Sequence, residues 1–284
     1  MAQILDGKAL AERRRAVLKD KLREARGRPP HLVVVLASED PASAIYVRNK
    51  KKAAEDVGIR STVFNLPPTT PKDELLLLVA KLNADDDVDG VLVQLPIPKQ
   101  HDELAVINSI RPDKDVDGFH PLNAGKLARG DESGLVPCTP LGVLQLIAEA
   151  GVNVRGKRAV VLGRSKIVGR PTAELLLNRD ATVTVCHSKT AHLDEVVREA
   201  EVLVAAIGKA HFVKGSWVRP GAVVIDVGTN RLPNGKLTGD VAFHAAVERA
   251  GAITPVPGGV GPMTITNLLE NTTRAAELRR GGKS

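Results

Sequence analysis

Short runs of apolar and β-branched residues recur along this chain, and they constrain its fold more than any other feature. Seven such runs are present, at residues 32–36, 62–64, 90–95, 158–162, 182–185, 202–206 and 223–227. Helical patterns separate most of them, and we predict Ser43 as the N-cap of one such helix and Thr70-Pro71 as the start of the next. Near-continuous apolar strands that alternate with helices are typical of parallel sheets covered on both faces. The sequence therefore predicts an α/β fold.

The chain is long enough for two such lobes, because 284 residues exceed the usual size of one small domain. The strand and helix pattern breaks between Asp113 and Pro140, where Asp, Gly and Pro residues predict a loop. We therefore expect two α/β lobes around a cleft, with a first lobe at residues 1–139 and a Rossmann-like second lobe at 140–261. A last helix, at 262–280, is expected to pack back onto the first lobe.

The charge and the aromatic content of the chain together narrow its partners. A net charge of +7 favours anionic partners, either nucleic acid or small polyanions. One Trp, one Tyr and four Phe are too few to build the stacking surfaces that readers of single strands and RNA use. We therefore expect anionic cofactors and substrates, and no nucleic acid.

Other simple features bear on location and on metals. No apolar run approaches the roughly 18 residues that cross a bilayer, so no membrane span is expected. The first residues lack the basic and then apolar pattern of a secretory signal, which favours a cytoplasmic protein. Cys138 and Cys186 are the only cysteines, so the sequence supports neither a disulfide framework nor a cysteine metal site, and we interpret both as packing residues. No metal is expected.

A glycine-containing loop at 163–171 directly follows one predicted strand and precedes a helix that we expect to begin near Val168. Glycine permits a close backbone approach there, and a helix N-terminus presents N–H groups to an anion. Gly163, Arg164 and Ser165 are therefore candidate phosphate-binding residues. The spacing departs from the G-x-G-x-x-G pattern, so a tight strand-to-helix turn without a ligand is an equal alternative.

The end of the following strand bears on which dinucleotide would bind. Ribose-reading residues usually lie about 20 positions beyond the glycine loop, and residues 186–190 contain no Asp or Glu to accept a ribose hydroxyl. Ser188 and Lys189 offer donors instead, and Arg164 adds a cation, so a 2′-phosphate is favoured and NADP is preferred to NAD. A solvated strand end with incidental basic residues is the alternative.

Candidate substrate residues lie mostly in the first lobe. Tyr46 and Lys50 are four residues apart on a predicted helix and so share a face. A lysine among other cations, or one that is partly desolvated, suits proton transfer, although an isolated helical lysine is more often solvated. Gln94 lies at the carboxyl end of a predicted strand, the edge of an open α/β sheet where ligands bind. Asp117 lies in the loop between lobes, where a carboxylate can accept hydrogen bonds from an amino-heterocycle. A proline-stopped strand end and a turn-stabilising Asp are the respective alternatives.

Taken together, the motifs resemble those of the bifunctional methylenetetrahydrofolate dehydrogenase/cyclohydrolase family. The resemblance extends from about Ile4 to Arg274 and rests on an ordered set of segments: Tyr46-x-x-x-Lys50, residues 89–96, residues 112–118, residues 163–169 and the Pro- and Gly-rich loop at 255–264. One departure is Ser38, where many members carry glycine after the first core strand.

The resemblance implies a role for each matching residue. It makes Lys50 the catalytic lysine, Gln94 the glutamine that positions it, Tyr46 a substrate-stacking tyrosine and Asp117 the carboxylate that anchors the pterin. It further implies NADP contacts at Arg164, Ser165 and Ser188. It places Pro257, Gly258 and Gly259 on the folate side of the cleft, and it makes the first lobe the catalytic, folate-binding domain.

The resemblance also implies an activity and a setting. NADP-dependent oxidation of 5,10-methylenetetrahydrofolate to the 5,10-methenyl compound is followed by hydrolysis to 10-formyltetrahydrofolate. Tetrahydrofolate derivatives, with or without a polyglutamate tail, are the implied partners, together with a homodimer formed through the second lobe and a place in one-carbon metabolism and purine biosynthesis. A monofunctional NADP-dependent dehydrogenase, a dehydrogenase for another small acid and a non-catalytic cofactor-binding protein are the alternatives, because fold alone does not define function.

Overall fold

A computed structural model of the chain describes residues 2–281 and confirms the α/β class. Its strands and helices follow in the order β1 (Gln3–Ile4), α1 (Gly7–Glu24), β2 (His31–Leu36), α2 (Pro41–Val57), β3 (Arg60–Asn65), α3 (Lys72–Ala84), β4 (Gly90–Val93), α4 (Glu103–Ser109), α5 (Pro121–Ala128), α6 (Cys138–Glu149), β5 (Arg158–Leu162), α7 (Gly169–Leu177), β6 (Thr182–Cys186), α8 (Leu193–Arg198), β7 (Val202–Ala205), a short 3₁₀ helix (Gly215–Trp217), β8 (Val223–Asp226), β9 (Asn230–Arg231), β10 (Leu237–Thr238), α9 (Phe243–Ala246), β11 (Ala252–Ile253) and α10 (Val260–Arg279). All seven predicted strands are present, with ends that differ by one or two residues.

The chain divides into two compact units. The three-stranded unit comprises residues 13–138 and 265–281, and the six-stranded unit comprises residues 2–12 and 139–264. This division differs from the predicted domains in one respect, because residues 2–12 belong with the second sheet. The reason is that Gln3 and Ile4 form a strand that pairs in parallel with Ala252 and Ile253.

The three-stranded unit is built on a parallel sheet in the order β3-β2-β4. Every residue of the central strand, His31–Leu36, is buried. Successive side chains of this strand point to opposite faces of the sheet. Leu32 and Val34 belong to a core cluster that includes Leu268 and Leu269 of α10. Val33 belongs to a second cluster, on the other face, that includes residues of α3. Helices thus cover both faces, as the apolar strands require.

The six-stranded unit is built on a parallel sheet in the order β1-β11-β8-β7-β5-β6. Strands β5, β7 and β8 are each buried on both faces, since alternate residues enter two separate core clusters. Strand β5 lies between β6 and β7, so successive connections from β5 and β6 run to opposite sides. In open α/β sheets ligands bind at this switch point, at the carboxyl ends of the strands.

Two local predictions are wrong. Ser43 is not the N-cap of α2: the helix begins at Pro41, and the Asp40 carboxylate accepts hydrogen bonds from both the backbone N–H and the hydroxyl of Ser43, each at 2.9 Å. The segment between Asp113 and Pro140 is not only loop, because it contains α5, whose first residue, Pro121, follows a His120 cap.

Across residues 2–281, none of the helices combines the length and the apolar character that crossing a membrane requires.

Candidate active site

The three-stranded unit brings Lys50 and Gln94 together. Lys50 lies on α2 with 8% of its surface exposed, and its Nζ donates to Gln94 Oε1 at 3.0 Å. Gln94 Nε2 in turn donates to the carbonyl oxygen of Leu95 at 2.7 Å, which fixes the amide with its oxygen toward the lysine. The lysine nitrogen is thereby held at the carboxyl end of β4, the edge where ligands bind in such sheets.

Tyr46 lies one helical turn before Lys50 but in a different environment. Its side chain is 43% exposed, whereas Lys50 is buried. A ring that is this accessible can take a flat ligand against its face, while the lysine below it is held by a defined partner. The substrate-stacking role of Tyr46 stays a prediction.

Asp117 and Cys138 complete this group. Burial raises the pKa of the Asp117 carboxyl, the positive charge of Lys50 opposes the rise, and Asp115 adds to it. Burial, with a further contribution from Asp117, raises the pKa of the Cys138 thiol well above its usual value, and the thiol donates to the carbonyl oxygen of Val116 at 3.3 Å. The site thus combines an amine, an amide, a carboxyl group and a neutral thiol.

Sequence reasoning missed a residue that supports this site from α10. Asn271 Nδ2 donates to the carbonyl oxygens of Val116 and Val136, each at 2.8 Å, and lies 3.5 Å from Cys138 Sγ. These bonds hold the chain one residue before Asp117 and two residues before Cys138. Nothing in the sequence near Asn271 signals the role, because its partners are more than 130 positions away.

The six-stranded unit contains the predicted phosphate loop, directly after β5. Gly163 has a φ of +122°, and a Cβ there would lie 2.2 Å from the carbonyl oxygen of Ala206. A Cβ on Gly169 would lie 2.3 Å from the carbonyl oxygen of Gly163. Both positions therefore require glycine. Ser165 Oγ accepts from the N–H groups of Val168 and Gly169, each at 3.2 Å, and so caps α7.

The residues predicted to contact NADP are exposed at neighbouring strand ends. Arg164 and Ser165 follow β5 and Ser188 follows β6, and all three are exposed. The two loops are joined where the N–H of Gly163 donates to the carbonyl oxygen of Cys186 at 2.9 Å. The close backbone approach at Gly163 and the Arg164 guanidinium, with no acidic residue at 187–190, fit a dinucleotide that carries a 2′-phosphate.

The loop with Pro257, Gly258 and Gly259 belongs to the same unit. The N–H of Lys8 donates to the carbonyl oxygen of Gly258 at 3.0 Å, and a Cβ on Gly7 would lie 1.9 Å from the carbonyl oxygen of Gly259. The start of α1 therefore fixes this loop. The predicted site residues thus divide between the two units, and the folate contacts of residues 257–259 stay a prediction.

The same unit contains a buried carboxylate, that of Asp226. Asp226 ends β8, and its carboxylate accepts from the N–H groups of Gly228, Asp240 and Val241 at 2.8–3.0 Å. Burial raises the pKa of Asp226 to about 6, although these N–H groups oppose the rise.

Within residues 2–281, no group of three or more His, Cys, Asp or Glu side chains is placed to hold a metal ion.

Known proteins match both units. The sequence profile of the tetrahydrofolate dehydrogenase/cyclohydrolase catalytic domain matches residues 5–117, and that of the NAD(P)-binding domain matches residues 137–280. A bifunctional protein FolD of Sorangium cellulosum is 55% identical, over 98% of both chains.

Two solved structures extend this likeness to the fold. The bifunctional methylenetetrahydrofolate dehydrogenase/cyclohydrolase of Campylobacter jejuni is 47% identical, with a TM-score of 0.96, over 98% of this chain and 100% of its own. The dehydrogenase-cyclohydrolase of Trypanosoma brucei, solved with NADP cofactor and an inhibitor, is 39% identical, with a TM-score of 0.94, over 100% of this chain and 99% of its own. The resemblance of the motifs is thereby confirmed, and the chain belongs to the tetrahydrofolate dehydrogenase/cyclohydrolase family.

Proposed function

We propose that this protein oxidises 5,10-methylenetetrahydrofolate to 5,10-methenyltetrahydrofolate with NADP and then hydrolyses the methenyl compound to 10-formyltetrahydrofolate. The observation that carries the proposal is the buried Lys50 amine held by Gln94 beside the Asp117 carboxyl. The family match and the dinucleotide-fitting loop supply the other half of the reaction.

The second reaction needs proton transfers that the Lys50 group can serve. Water adds to the methenyl carbon and loses a proton, and the bond from that carbon to one ring nitrogen then breaks as that nitrogen gains a proton. Lys50 acts in these steps either as a base or as a charged hydrogen-bond donor. Its bond to Gln94 keeps the amine at one place and uses one of its protons, so the remaining positions on nitrogen can face the reacting atoms.

Substrate binding in this group divides between two side chains. The exposed Tyr46 ring suits stacking of a flat heterocycle. Asp117 suits the amino and ring N–H groups of a pterin, because a carboxylate accepts two parallel hydrogen bonds from such a pair. The charge of Lys50 favours the ionised form of Asp117 that this binding requires.

The cofactor half relies on the loops after β5 and β6. Residues 163–165 would hold the pyrophosphate, and Arg164 with Ser188 would hold the 2′-phosphate. When bound, NADP supplies a hydride acceptor. The protein's contribution to that step is to position the two reactants and to exclude water.

One absorbance experiment tests the activity and its alternatives. The purified protein is given 5,10-methylenetetrahydrofolate with NADP, and separately with NAD, while reduced cofactor and the methenyl compound are followed. We expect NADP reduction with little methenyl accumulation. Accumulation would favour the monofunctional dehydrogenase, and no reduction with either cofactor would favour a cofactor-binding protein without catalysis.

We also propose a cytoplasmic homodimer that supplies one-carbon units for purine biosynthesis. Two free, buried cysteines are compatible with a reducing compartment. Val185 on the edge strand β6 and Leu177 on the adjacent α7 are exposed, at 38% and 56%. A second copy of the chain that packs against this edge of the sheet would bury both side chains. Sedimentation of the wild type and of a Val185→Lys variant tests the dimer, which the lysine should weaken.

A further inference from the structure

A single carboxylate, that of Asp240, holds the segment that follows β7. Asp240 is fully buried. Its Oδ2 accepts from the N–H groups of Ile207 and Gly208 at 2.7 and 3.0 Å. Its Oδ1 accepts from the N–H of Lys209 and from Asn230 Nδ2 at 2.8 and 2.9 Å. Four donors match the roughly four acceptor positions of an ionised carboxylate, so three consecutive backbone N–H groups are fixed by one side chain.

The segment held by Asp240 lies at the switch point of the six-stranded sheet. It follows the carboxyl end of β7, the neighbour of β5, and the carbonyl oxygen of Ala206 is so close to Gly163 that a Cβ there would lie 2.2 Å away. The segment and the predicted phosphate loop therefore abut each other. Asn230 begins β9, so Asp240 also holds the chain that follows β8.

The surroundings of Asp240 leave it little freedom. A Cβ on Gly228 would lie 2.3 Å from Asp240 Oδ1, and a Cβ on Gly239 would lie 1.9 Å from Asp226 Oδ2. The N–H of Asp240 itself donates to Asp226 Oδ1 at 2.9 Å. Asp226 thus holds the backbone of Asp240, and Asp240 holds the backbone of residues 207–209.

The topology indicates which part of a dinucleotide this edge would face. Strand β6, with Ser188 at its end, lies on one side of β5, and strands β7 and β8 lie on the other. If the 2′-phosphate half occupies the β6 side, the nicotinamide half extends over β7 and β8. We infer that Asp240 is a positioning residue for the nicotinamide half of NADP, acting through the backbone of residues 207–209. This inference rests on the proposed function.

The two proposed activities provide an internal test, because only one of them uses a nicotinamide. Asp240→Asn replaces one acceptor oxygen by an NH₂ group, so two of the four donors then meet another donor. We expect the dehydrogenase kcat/KM for NADP to fall about 30-fold. Cyclohydrolase activity, measured on 5,10-methenyltetrahydrofolate without cofactor, should stay within about twofold of the wild type.

A matched control lies at the amino ends of the strands of the same sheet, away from the carboxyl ends where Asp240 acts. Glu201 accepts from Lys157 Nζ and from the N–H of Arg158, at 2.9 and 3.1 Å, at the amino end of β5. Glu201→Gln should leave the ratio of the two activities unchanged. Asn230→Ala, which removes one of the four donors and keeps the carboxylate, should lower the dehydrogenase alone by about threefold, and it decides the matter if Asp240→Asn does not fold.

The outcomes separate this inference from the proposed function. The wild type must show both activities, and its failure to do so would reject the function itself. A selective loss of dehydrogenase in the folded variants supports the positioning role. An equal loss of both activities, or an unchanged ratio in both Asp240→Asn and Asn230→Ala, would overturn it.

Discussion

Replacement of Lys50 by Met tests the site most directly. The side chains have similar lengths, and the stem of Lys50 is buried, so Met can fill the same space without the amine. The change removes the hydrogen bond to Gln94 Oε1 and the positive charge beside Asp117. Because that charge opposes the rise of the Asp117 pKa, the pKa of Asp117 should move further up in the variant.

The expected magnitudes follow from these contacts. Loss of a positioned acid or base typically costs about 10²- to 10⁴-fold, so cyclohydrolase activity should fall by that amount. The orphaned Gln94 oxygen should cost about 1–3 kcal/mol of unfolding free energy, which a folded protein of this size tolerates. NADP affinity should stay within about twofold, because Arg164 and Ser165 lie in the other unit.

The assay compares hydrolysis of 5,10-methenyltetrahydrofolate with NADP binding by calorimetry. Lys52→Met is the matched control on the same helix, since exposed Lys52 pairs with Asp56, at 2.8 Å and four residues away. Such a surface pair contributes about 0.3–0.5 kcal/mol, so the control should keep both properties. Full hydrolysis in Lys50→Met, or an equal loss of NADP affinity, would refute the assigned role of the amine.

Three further predictions concern the six-stranded unit. Arg164→Ala should weaken NADP about 10- to 100-fold and NAD by less than about threefold, measured as KM for each cofactor, and an unchanged preference would contradict the 2′-phosphate contact. Burial raises the pKa of Asp226 to about 6, above its unfolded value, so the native state binds more protons than the unfolded state. The unfolding free energy should therefore decline by up to about 3 kcal/mol as the pH rises from 4 to 6. Asp226→Asn should remove that slope in denaturant titrations, and a slope that persists would contradict the assignment. Gly163→Ala should lower stability by about 2–4 kcal/mol and impair NADP binding, whereas Gly125→Ala, with open space around its Cβ position in α5, should be neutral or stabilising by thermal unfolding.

The sequence predicted the fold where a local run of apolar residues marks a buried strand. The buried strands of both sheets are near-continuous apolar runs, and they were found within one or two residues. Two short helices, α4 and α5, were not predicted. They have only 7 and 8 residues, and they depend on the caps Asp102 and His120 rather than on a long apolar face. Strand β1 was missed for a related reason: two residues carry no period, and only the distant β11 makes them a strand.

The candidate site was predictable where a motif is local. Tyr46 and Lys50 share a helix, and Gln94 follows a strand, so local pattern marked all three as candidates, and the family resemblance supplied their predicted roles. The supports of the site were not accessible in this way. Asn271 acts on carbonyl groups more than 130 positions away, and Asp240 acts on N–H groups more than 30 positions away. A buried polar side chain that bonds distant backbone leaves no pattern in the neighbouring sequence.

The segment 114–117 shows why charge alone does not assign a role. Lys114 is fully buried, donates to the carbonyl oxygens of Leu82, Asn83 and Asp85 at the end of α3, and has its pKa lowered by burial to about 8. These bonds cap a helix C-terminus, where a cation is favoured, so they engage Lys114 away from Asp117.

Asp115, also buried, accepts from the N–H of His120 and from Asn123 Nδ2, at 2.8 and 2.9 Å, and so holds the turn that leads into α5. Asp117 differs because the charge of Lys50 lowers its pKa, although burial and Asp115 raise it. The buried partners of Lys114 and Asp115 are structural, and this leaves Asp117 as the carboxylate of the segment that the Lys50 amine can influence. The pterin-anchoring role predicted for Asp117 therefore has a physical basis in its partners, which a sequence of alternating charges does not reveal.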